Sequence, residues 1–498
     1  MRRRLALALL AAVFFATRLY NLTLLPIFVD ESINVCWAAR WAREPGFWKP
    51  WEDGKLLHIL VTSLLVPRAA DPLWAGRCAA AVTGCLGMLA AWGLGRRLFD
   101  ARAGFSAAAL YLVCPFTLFY DRMDLADVYL SSCAVLALLA TADLLARPTL
   151  RRGTALGVAL AACVLAKAPG LIVLAFPAAG AVLLGPRRPG ARRALALAYG
   201  LCLLIVAGPV LYFLSHSTQV QAKTGKAGGD RLGLLVENTR RAVGWLWSYW
   251  TPPVCVAGVA AAAAGLVRHR GAEALLLVAA TLPAVVFSLT AHDWFPRYVL
   301  FASIPFLVLA ARALVAASDW AAGRWPEAHR LRLMASVLAI MALLAPAARF
   351  DYWILADPAQ APLPEVEGFQ YVWGWPSGYG WSQAVQILRA ERARHPEGIT
   401  LLGDSLGHGV GSWAVRASFI NDPGVEVVVF DAESPAAIEL MDERAATRPV
   451  FCLTSKREYF QGTRALKPKR IAVLHKPSRR FAGQLYRLRP RSATASTP

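Results

Sequence analysis

The sequence predicts a polytopic α-helical membrane domain of about eleven transmembrane helices, followed by a small soluble α/β domain. Three observations carry this expectation. The 498 residues are 57% hydrophobic and only 17% charged, with a mean hydropathy of +0.44, whereas an ordinary soluble domain carries about 25% charged residues. The apolar residues fall in long runs as far as about Phe350, after which the composition becomes ordinary. Between the runs, arginine comes in short clusters, as membrane topology requires. The net charge of +21 therefore does not indicate nucleic acid, which calls for one basic stripe or face.

Apolar stretches long enough to serve as spans lie near residues 5–24, 73–94, 104–120, 125–146, 153–167, 169–185, 194–214, 243–267, 272–290, 298–317 and 331–348. The first follows Arg2 to Arg4 and is read as a retained helix, because no small-residue cleavage site precedes Arg18. The stretch 56–67 is too short to span and reads as a helix along the membrane surface. Placing Arg2 to Arg4 inside puts five arginine-rich loops on the same side: 95–102, 147–152, 186–193, 268–271 and 323–332. An odd number of spans then makes the N-terminus cytoplasmic and the C-terminal domain periplasmic or extracellular, in an inner or plasma membrane of bacterial type. The expected boundaries are 1–350 for the membrane domain, 351–490 for the soluble domain and 491–498 for a disordered tail.

The opposite face collects ionisable residues. The first outer loop, 25–72, holds Asp30, Glu31, Lys55 and His58. The next holds Asp121, Arg122, Asp124 and Asp127. Lys167 follows, then a long polar loop within 215–242, then His292, Asp293, Arg297 and Tyr298. Such groups cost about 2.5–3.5 kcal/mol each at bilayer centre, so they are read as surrounding a wet cavity that opens outward. Each has a structural reading when taken singly. Asp30 suits the N-cap of a helix starting at Glu31, and Asp124 suits the N-cap of the next span. Arg122 and Asp127 suit an ion pair. Lys167 suits an interfacial snorkel, and Arg297 with Tyr298 an interfacial anchor. Together they suit a reaction: carboxylates to take a proton from a hydroxyl, and cations to receive a phosphate leaving group. A transporter or lipid flippase using the same charges for translocation is the competing class. It favours internal repeats, and none is visible. A non-catalytic cell-envelope scaffold is a third.

Nine cysteines show neither a CxxC pair nor metal-ligand spacing, and most lie in apolar runs. No disulfide framework is expected.

At "RLYNLTLLPIFVDES" the chain resembles the membrane glycosyltransferase C superfamily, specifically its protein O-mannosyltransferase and aminoarabinose transferase group. An Asp-Glu pair in the first outer loop corresponds to Asp30 and Glu31. "DGKLLHIL" resembles the group's "GK-P-L" element, with Lys55 and His58, although Leu56 and Leu57 replace the proline step. "DRMDLAD" resembles "R-M-x-L-x-D", with Arg122 and Asp127. "LAKAPG" matches a lysine between two spans, Lys167. An Arg-Tyr before a late span is matched by Arg297 and Tyr298. The resemblance covers about the first 320 residues. It implies an inverting transfer of a sugar from polyprenyl phosphate, dolichyl or undecaprenyl, to a hydroxyl of protein, lipid or glycan. Asp30 is the implied base, with Glu31 assisting or binding a metal. Lys55, Arg122, Lys167, Arg297 and Tyr298 are implied to bind the donor phosphate. His58 and Asp127 are the implied ligands of a divalent metal, which members of the superfamily use in some cases and not in others. The implied partners are the lipid-linked sugar, a hydroxyl acceptor and membrane lipids. For the competing class the resemblance implies a transporter or flippase of polyprenyl-linked lipid or sugar.

In the C-terminal part, 378–396 and 434–447 read as helices, and "ITLLGDS", "VEVVVFD", "RPVFCLTS" and "RIAVLHK" as strands. "LLGDSLGHG" has the form of a GDSL hydrolase block with Ser405 as nucleophile. The partner Asp-x-x-His is missing after residue 409, so a strand followed by an Asp-Ser turn is the reading kept. The aromatic run 370–381 suits packing and interfacial anchoring, or a glycan contact.

Overall fold

The structure, a computed structural model, describes residues 2–185, 189–217, 231–324, 329–404, 410–430, 435–455 and 466–490. The helices in chain order are α1 (Arg2–Leu19), α2 (Val29–Arg43), α3 (Lys49–Glu52), α4 (Leu56–Ser63), α5 (Pro72–Leu98), α6 (Ala101–Val113), α7 (Pro115–Tyr120), α8 (Ala126–Ala146), α9 (Leu150–Ala166), α10 (Ala175–Leu184) and α11 (Ala191–His216). After them come α12 (Arg231–Trp250), α13 (Pro252–Val267), α14 (Gly271–Thr290), α15 (Leu300–Arg324), α16 (His329–Ala356), α17 (Glu365–Gly368), α18 (Trp381–Arg394), α19 (Val410–Phe419) and α20 (Pro435–Ala445).

All eleven expected spans fall on helices, but the expected count is not met by length and composition. Among the described residues, five helices are long and apolar enough to cross a membrane: Pro72–Leu98, Ala126–Ala146, Ala191–His216, Gly271–Thr290 and Pro296–Arg324. A sixth is added if α12 and α13 form one span. The shortfall has local causes. α1 carries Arg2, Arg3, Arg4 and Arg18 in 18 residues. The stretch 104–120 is broken at Cys114 before Pro115, where the residue preceding a proline leaves the helical region. The stretch 243–267 is broken at Thr251, before Pro252 and Pro253, and its halves are bent by 112°.

Two compact units make up the chain. The first contains residues 1–22, 46–61 and 77–362. Small residues let its helices close up: a Cβ placed on Gly153 or Gly157 of α9 would stand 2.6 or 2.7 Å from the carbonyl oxygen of Ala194 or Ala198 in α11. This spacing of small residues four apart permits tight helix contact where lipid supplies no hydrophobic drive.

The second unit contains residues 23–45, 62–76 and 363–498. Its sheet has the order β2-β1-β3-β5-β4, with β1 (Ile399–Asp404), β2 (Val425–Phe430), β3 (Val450–Thr454), β4 (Leu466–His475) and β5 (Phe481–Pro490). β1 pairs parallel with β2 and β3, and β5 pairs antiparallel with β3 and β4. Leu402, Met441, Val450, Cys452, Tyr486 and Leu488 belong to one buried cluster. The four expected strands and both helices are present. β5 and α19 are additions, and at the end of β5 Arg489 and Pro490 pair with Lys467 and Leu466. Ser405 and the tail 491–498 lie outside the described residues. The aromatic run is largely packed, with Tyr371 and Trp381 buried and Trp375 exposed.

Helix α2 is built into this second unit. Val29 N–H donates to Pro376 O at 3.1 Å, and the rings of Phe28 and Tyr371 lie 4.6 Å apart. At its other end Arg43 donates to Ile420 O at 2.9 Å and to Asn421 Oδ1 at 2.6 Å.

Candidate active site

In the first unit the predicted cations gather around Lys167. Helix α9 stops before this residue, because Pro169 lacks the N–H needed to continue it, and a 3-10 turn over Ala168–Leu174 follows. Lys167 is therefore held at a break between two helices rather than on a lipid-facing stripe. Its ammonium donates to both oxygens of Asp127, at 2.7 and 2.8 Å, and lies 4.7 Å from the centre of the Tyr298 ring. Asp127 sits in the first turn of α8, where the helix dipole also favours a carboxylate. Arg297 and Lys55 are both near enough to act electrostatically on Lys167. Lys55 pairs with Asp53 at 2.7 Å, and the Arg297 guanidinium lies over Phe295 and Tyr298 at 4.8 and 5.6 Å. Lys55 and Arg297 thus act on Lys167 from nearby, Lys167 and Arg297 both face the Tyr298 ring, and the two carboxylates are Asp53 on Lys55 and Asp127 on Lys167. The positive surplus suits an anionic oxygen ligand such as phosphate.

His58 and Asp124 form a separate buried pair, Nε2 to Oδ1 at 2.6 Å. The Tyr129 ring lies 4.8 Å from the imidazole. Asp124 is thus not the N-cap of the next span; that position is Leu125. The expected metal ligands are divided between two different pairs: His58 faces Asp124, and Asp127 faces Lys167. Among the described residues, no group of three His, Cys, Asp or Glu side chains is arranged to hold a metal. The expected pair of His58 and Asp127 does not fit a metal centre.

The expected Arg122–Asp127 ion pair is not formed. Arg122 donates to the carbonyls of Thr17, Arg18, Tyr20 and Asn21 at 2.8–3.1 Å. Thr17 and Arg18 lie in the last turn of α1, whose carbonyls lack intrahelical partners, and Tyr20 and Asn21 follow it directly. Arg122 is thereby a cap for α1, and Asp127 is left to Lys167. Sequence reading missed Arg18, which contacts Asp121 at 3.4 Å with both side chains buried and donates to Leu112 O at 2.8 Å. Tyr111 O–H also donates to Asp121 at 3.1 Å. An arginine near the end of an apolar run was the available signal.

Within the second unit, α2 begins at Val29 with Phe28 as N-cap, not at Glu31 with Asp30 as cap. The carboxylate three residues after the cap is consequently Glu31. Its Oε2 accepts the Phe28 N–H at 3.0 Å, the returning half of a capping box. Glu31 is fully buried, whereas Asp30 is half-buried in the same turn. The dipole of α2 stabilises both carboxylates.

Residues 57–213 match the family model described as dolichyl-phosphate-mannose-protein mannosyltransferase. That stretch contains His58, Arg122, Asp127 and Lys167, but not Asp30, Glu31, Lys55, Arg297 or Tyr298. The fold of ArnT from Cupriavidus metallidurans in the apo state superposes with a TM-score of 0.59 at 16% identity, covering 97% of each chain. The same protein bound to undecaprenyl phosphate gives a TM-score of 0.59 at 15% identity, again over 97% of each chain. The archaeal oligosaccharyltransferase AglB from Archaeoglobus fulgidus, in complex with an inhibitory peptide and a dolichol-phosphate, gives 0.54 at 15% identity, over 90% of this chain and 69% of that one. A comparison with curated proteins finds no match. The expected resemblance is therefore met in sequence over 57–213, and nearly the whole chain shares the fold of these structures.

Proposed function

From that fold and that partial family match, we propose that this integral membrane protein is an inverting glycosyltransferase. It moves a sugar from a polyprenyl-phosphate-linked donor to a hydroxyl acceptor. The observation that carries the reading is the gathering of Lys55 and Arg297 near Lys167, with Asp127 holding Lys167 in place and Tyr298 beside it. In the reaction, the acceptor hydroxyl gives its proton to the Asp30 carboxylate as its oxygen bonds to the anomeric carbon. The bond from that carbon to the phosphate oxygen breaks, and its electron pair leaves with polyprenyl phosphate. Negative charge grows on the phosphate as it departs, which is the charge fixed cations stabilise most in the transition state. Arg122, committed to the end of α1, positions rather than binds. Glu31 shapes the turn that presents Asp30.

The shorter and bent helices are taken to complete the crossings to about eleven. The N-terminus is then cytoplasmic and the chemistry takes place on the non-cytoplasmic face, with the second unit there. The arginine-rich loops support this side assignment.

The test is donor turnover by the purified full chain in detergent, with a panel of polyprenyl-phosphate sugars and crude cell-envelope extract as acceptor. Wild type should release polyprenyl phosphate and Asp30→Asn should not. Lys167→Ala should lose about 10²–10³ in rate, the usual loss for one fixed charge stabiliser. If folded wild type releases none across the panel, the transferase reading fails and transport becomes the better account.

A further inference from the structure

The first unit contains a cavity of about 400 Å³ lined by Arg97, Arg270, Arg312 and Glu273 together with leucine, alanine and Phe99 side chains. Its size falls in the range of small-ligand sites, roughly 300–1,000 Å³. It is not the candidate active site. Helix α8 carries Asp127 in its first turn and places Ala142, Leu145 and Ala146 in the cavity wall. Asp127 and Ala146 are 19 residues apart on that helix, about 28 Å at 1.5 Å per residue.

The cavity is rich in donors with little to receive them. Each guanidinium carries five N–H groups. Arg312 makes no hydrogen bond among the described residues; its carboxylate contact is Glu273 at 3.8 Å, and it lies 5.5 Å from the Phe99 ring centre. Arg270 reaches Glu273 at 3.5 Å. Arg97 is paired with Asp143 at 2.6 Å on the rim. Glu273 itself is only 5% exposed and faces two arginines, Arg312 at 23% exposure within the wall and Arg270 half-exposed at its edge. Three guanidiniums against Glu273 and Asp143 leave one positive charge. A phosphodiester carries one negative charge and several acceptor oxygens, and it matches that surplus. The leucines that share the wall, Leu98, Leu145, Leu183 and Leu184, suit an acyl chain.

We propose that this cavity binds the phosphodiester head group of an anionic membrane phospholipid, with Arg270 and Arg312 as its principal donors. Basic pockets between transmembrane helices take such head groups elsewhere. The lipid would tie the ends of α8, α10 and α14 to α15, far from the reacting groups.

The experiment uses the purified full chain in detergent. Unfolding temperature and retained lipid, by native mass spectrometry, are followed on titration with phosphatidylglycerol, phosphatidylcholine or inorganic phosphate. Phosphatidylglycerol should raise the unfolding temperature saturably and leave one lipid bound, with phosphatidylcholine weaker. Arg270→Gln/Arg312→Gln should weaken the response by about tenfold to a hundredfold, as expected on losing charge-assisted hydrogen bonds. Arg270→Gln alone, at a half-exposed position, serves if the double variant does not fold. A response to inorganic phosphate as strong as to lipid would overturn the lipid and leave a soluble anion as ligand. Equal responses to the two lipids, or a folded variant that responds as wild type does, would overturn the site.

Discussion

Lys167 and Asp127, 40 residues apart, meet with two hydrogen bonds of 2.7 and 2.8 Å, one residue ending a helix and the other beginning one. Both side chains are largely buried. Removing one partner of such a pair leaves a buried charge and costs about 3–5 kcal/mol. Asp127→Ala should be worse than its size suggests, since Lys167 would then face Arg297 and Lys55 without its counter-charge. Asp127→Asn with Lys167→Met should be less destabilised than the sum of the singles, by about 0.5–3 kcal/mol. Unfolding of the four proteins in detergent checks this, and additivity would show that the pair does not couple.

Much of this site was legible because each group lies beside a punctuation mark in the sequence. Lys167 precedes Ala-Pro-Gly, Arg297 follows Pro296, and Asp127 opens an apolar run. Partner choice was not legible. Arg122 and Asp127 are neighbours in sequence, yet one faces the carbonyls of α1 and the other faces Lys167. Only the packing of α1, α8 and α9 decides that. The inclusion of residues 23–45 and 62–76 in the C-terminal unit was hidden for the same reason. It rests on contacts such as Arg43 with Asn421, whose partners are 378 residues apart. The strand β5 was missed because Gln484, Arg487 and Arg489 break any clean alternation over Phe481–Pro490, and the segment shows itself as a strand only where β3 and β4 flank it.

Arg18 and Asp121 form a deeply enclosed pair, with side-chain exposures of 0% and 2%. Arg18→Met should cost about 3–5 kcal/mol, as Asp121 loses its counter-charge and the carbonyls of Leu112 and Tyr111 lose a donor. Asp121→Asn keeps an acceptor for Tyr111 and should cost less. Thermal unfolding ranks the two variants; the reverse order would refute the assignment of Arg18 as the organising charge.

Thr251, at φ 65° and ψ 146°, joins α12 to α13. A β-branched side chain in that region costs about 1–3 kcal/mol, and glycine avoids the cost. Thr251→Gly should therefore stabilise the chain, by about 1 kcal/mol after glycine's larger unfolded-state entropy is subtracted. Lower stability in the variant would mean that the threonine side chain contributes more than its backbone costs.

Lys476, in the second unit, donates to Gly374 O and Ser377 O. Burial lowers its ammonium to about 8. Below that pH the group is charged in folded and unfolded chains alike, and the full desolvation cost is present. Between about 8 and the ordinary lysine value near 10.5 the unfolded chain binds more protons, so stability rises with pH in that window. The difference in unfolding free energy between wild type and Lys476→Met should accordingly shift in favour of wild type from pH 8 to pH 10. A flat difference would show that the ammonium keeps its ordinary affinity for the proton.

Asp30 and Glu31 are adjacent, but their surroundings separate their work. Glu31 accepts the Phe28 N–H and is fully buried, while Asp30 is the more open of the two. Glu31→Ala should cost about 0.5–2 kcal/mol, the range for loss of a helix cap, and should reduce turnover through disorder of the turn. Glu31→Gln retains an acceptor oxygen for the Phe28 N–H and should restore both stability and most of the turnover. Asp30→Asn should do the opposite, leaving stability near wild type while abolishing release of polyprenyl phosphate. If Glu31→Gln is folded and as inactive as Asp30→Asn, the negative charge of Glu31 is required in the reaction, and the two carboxylates do not divide into base and positioning residue.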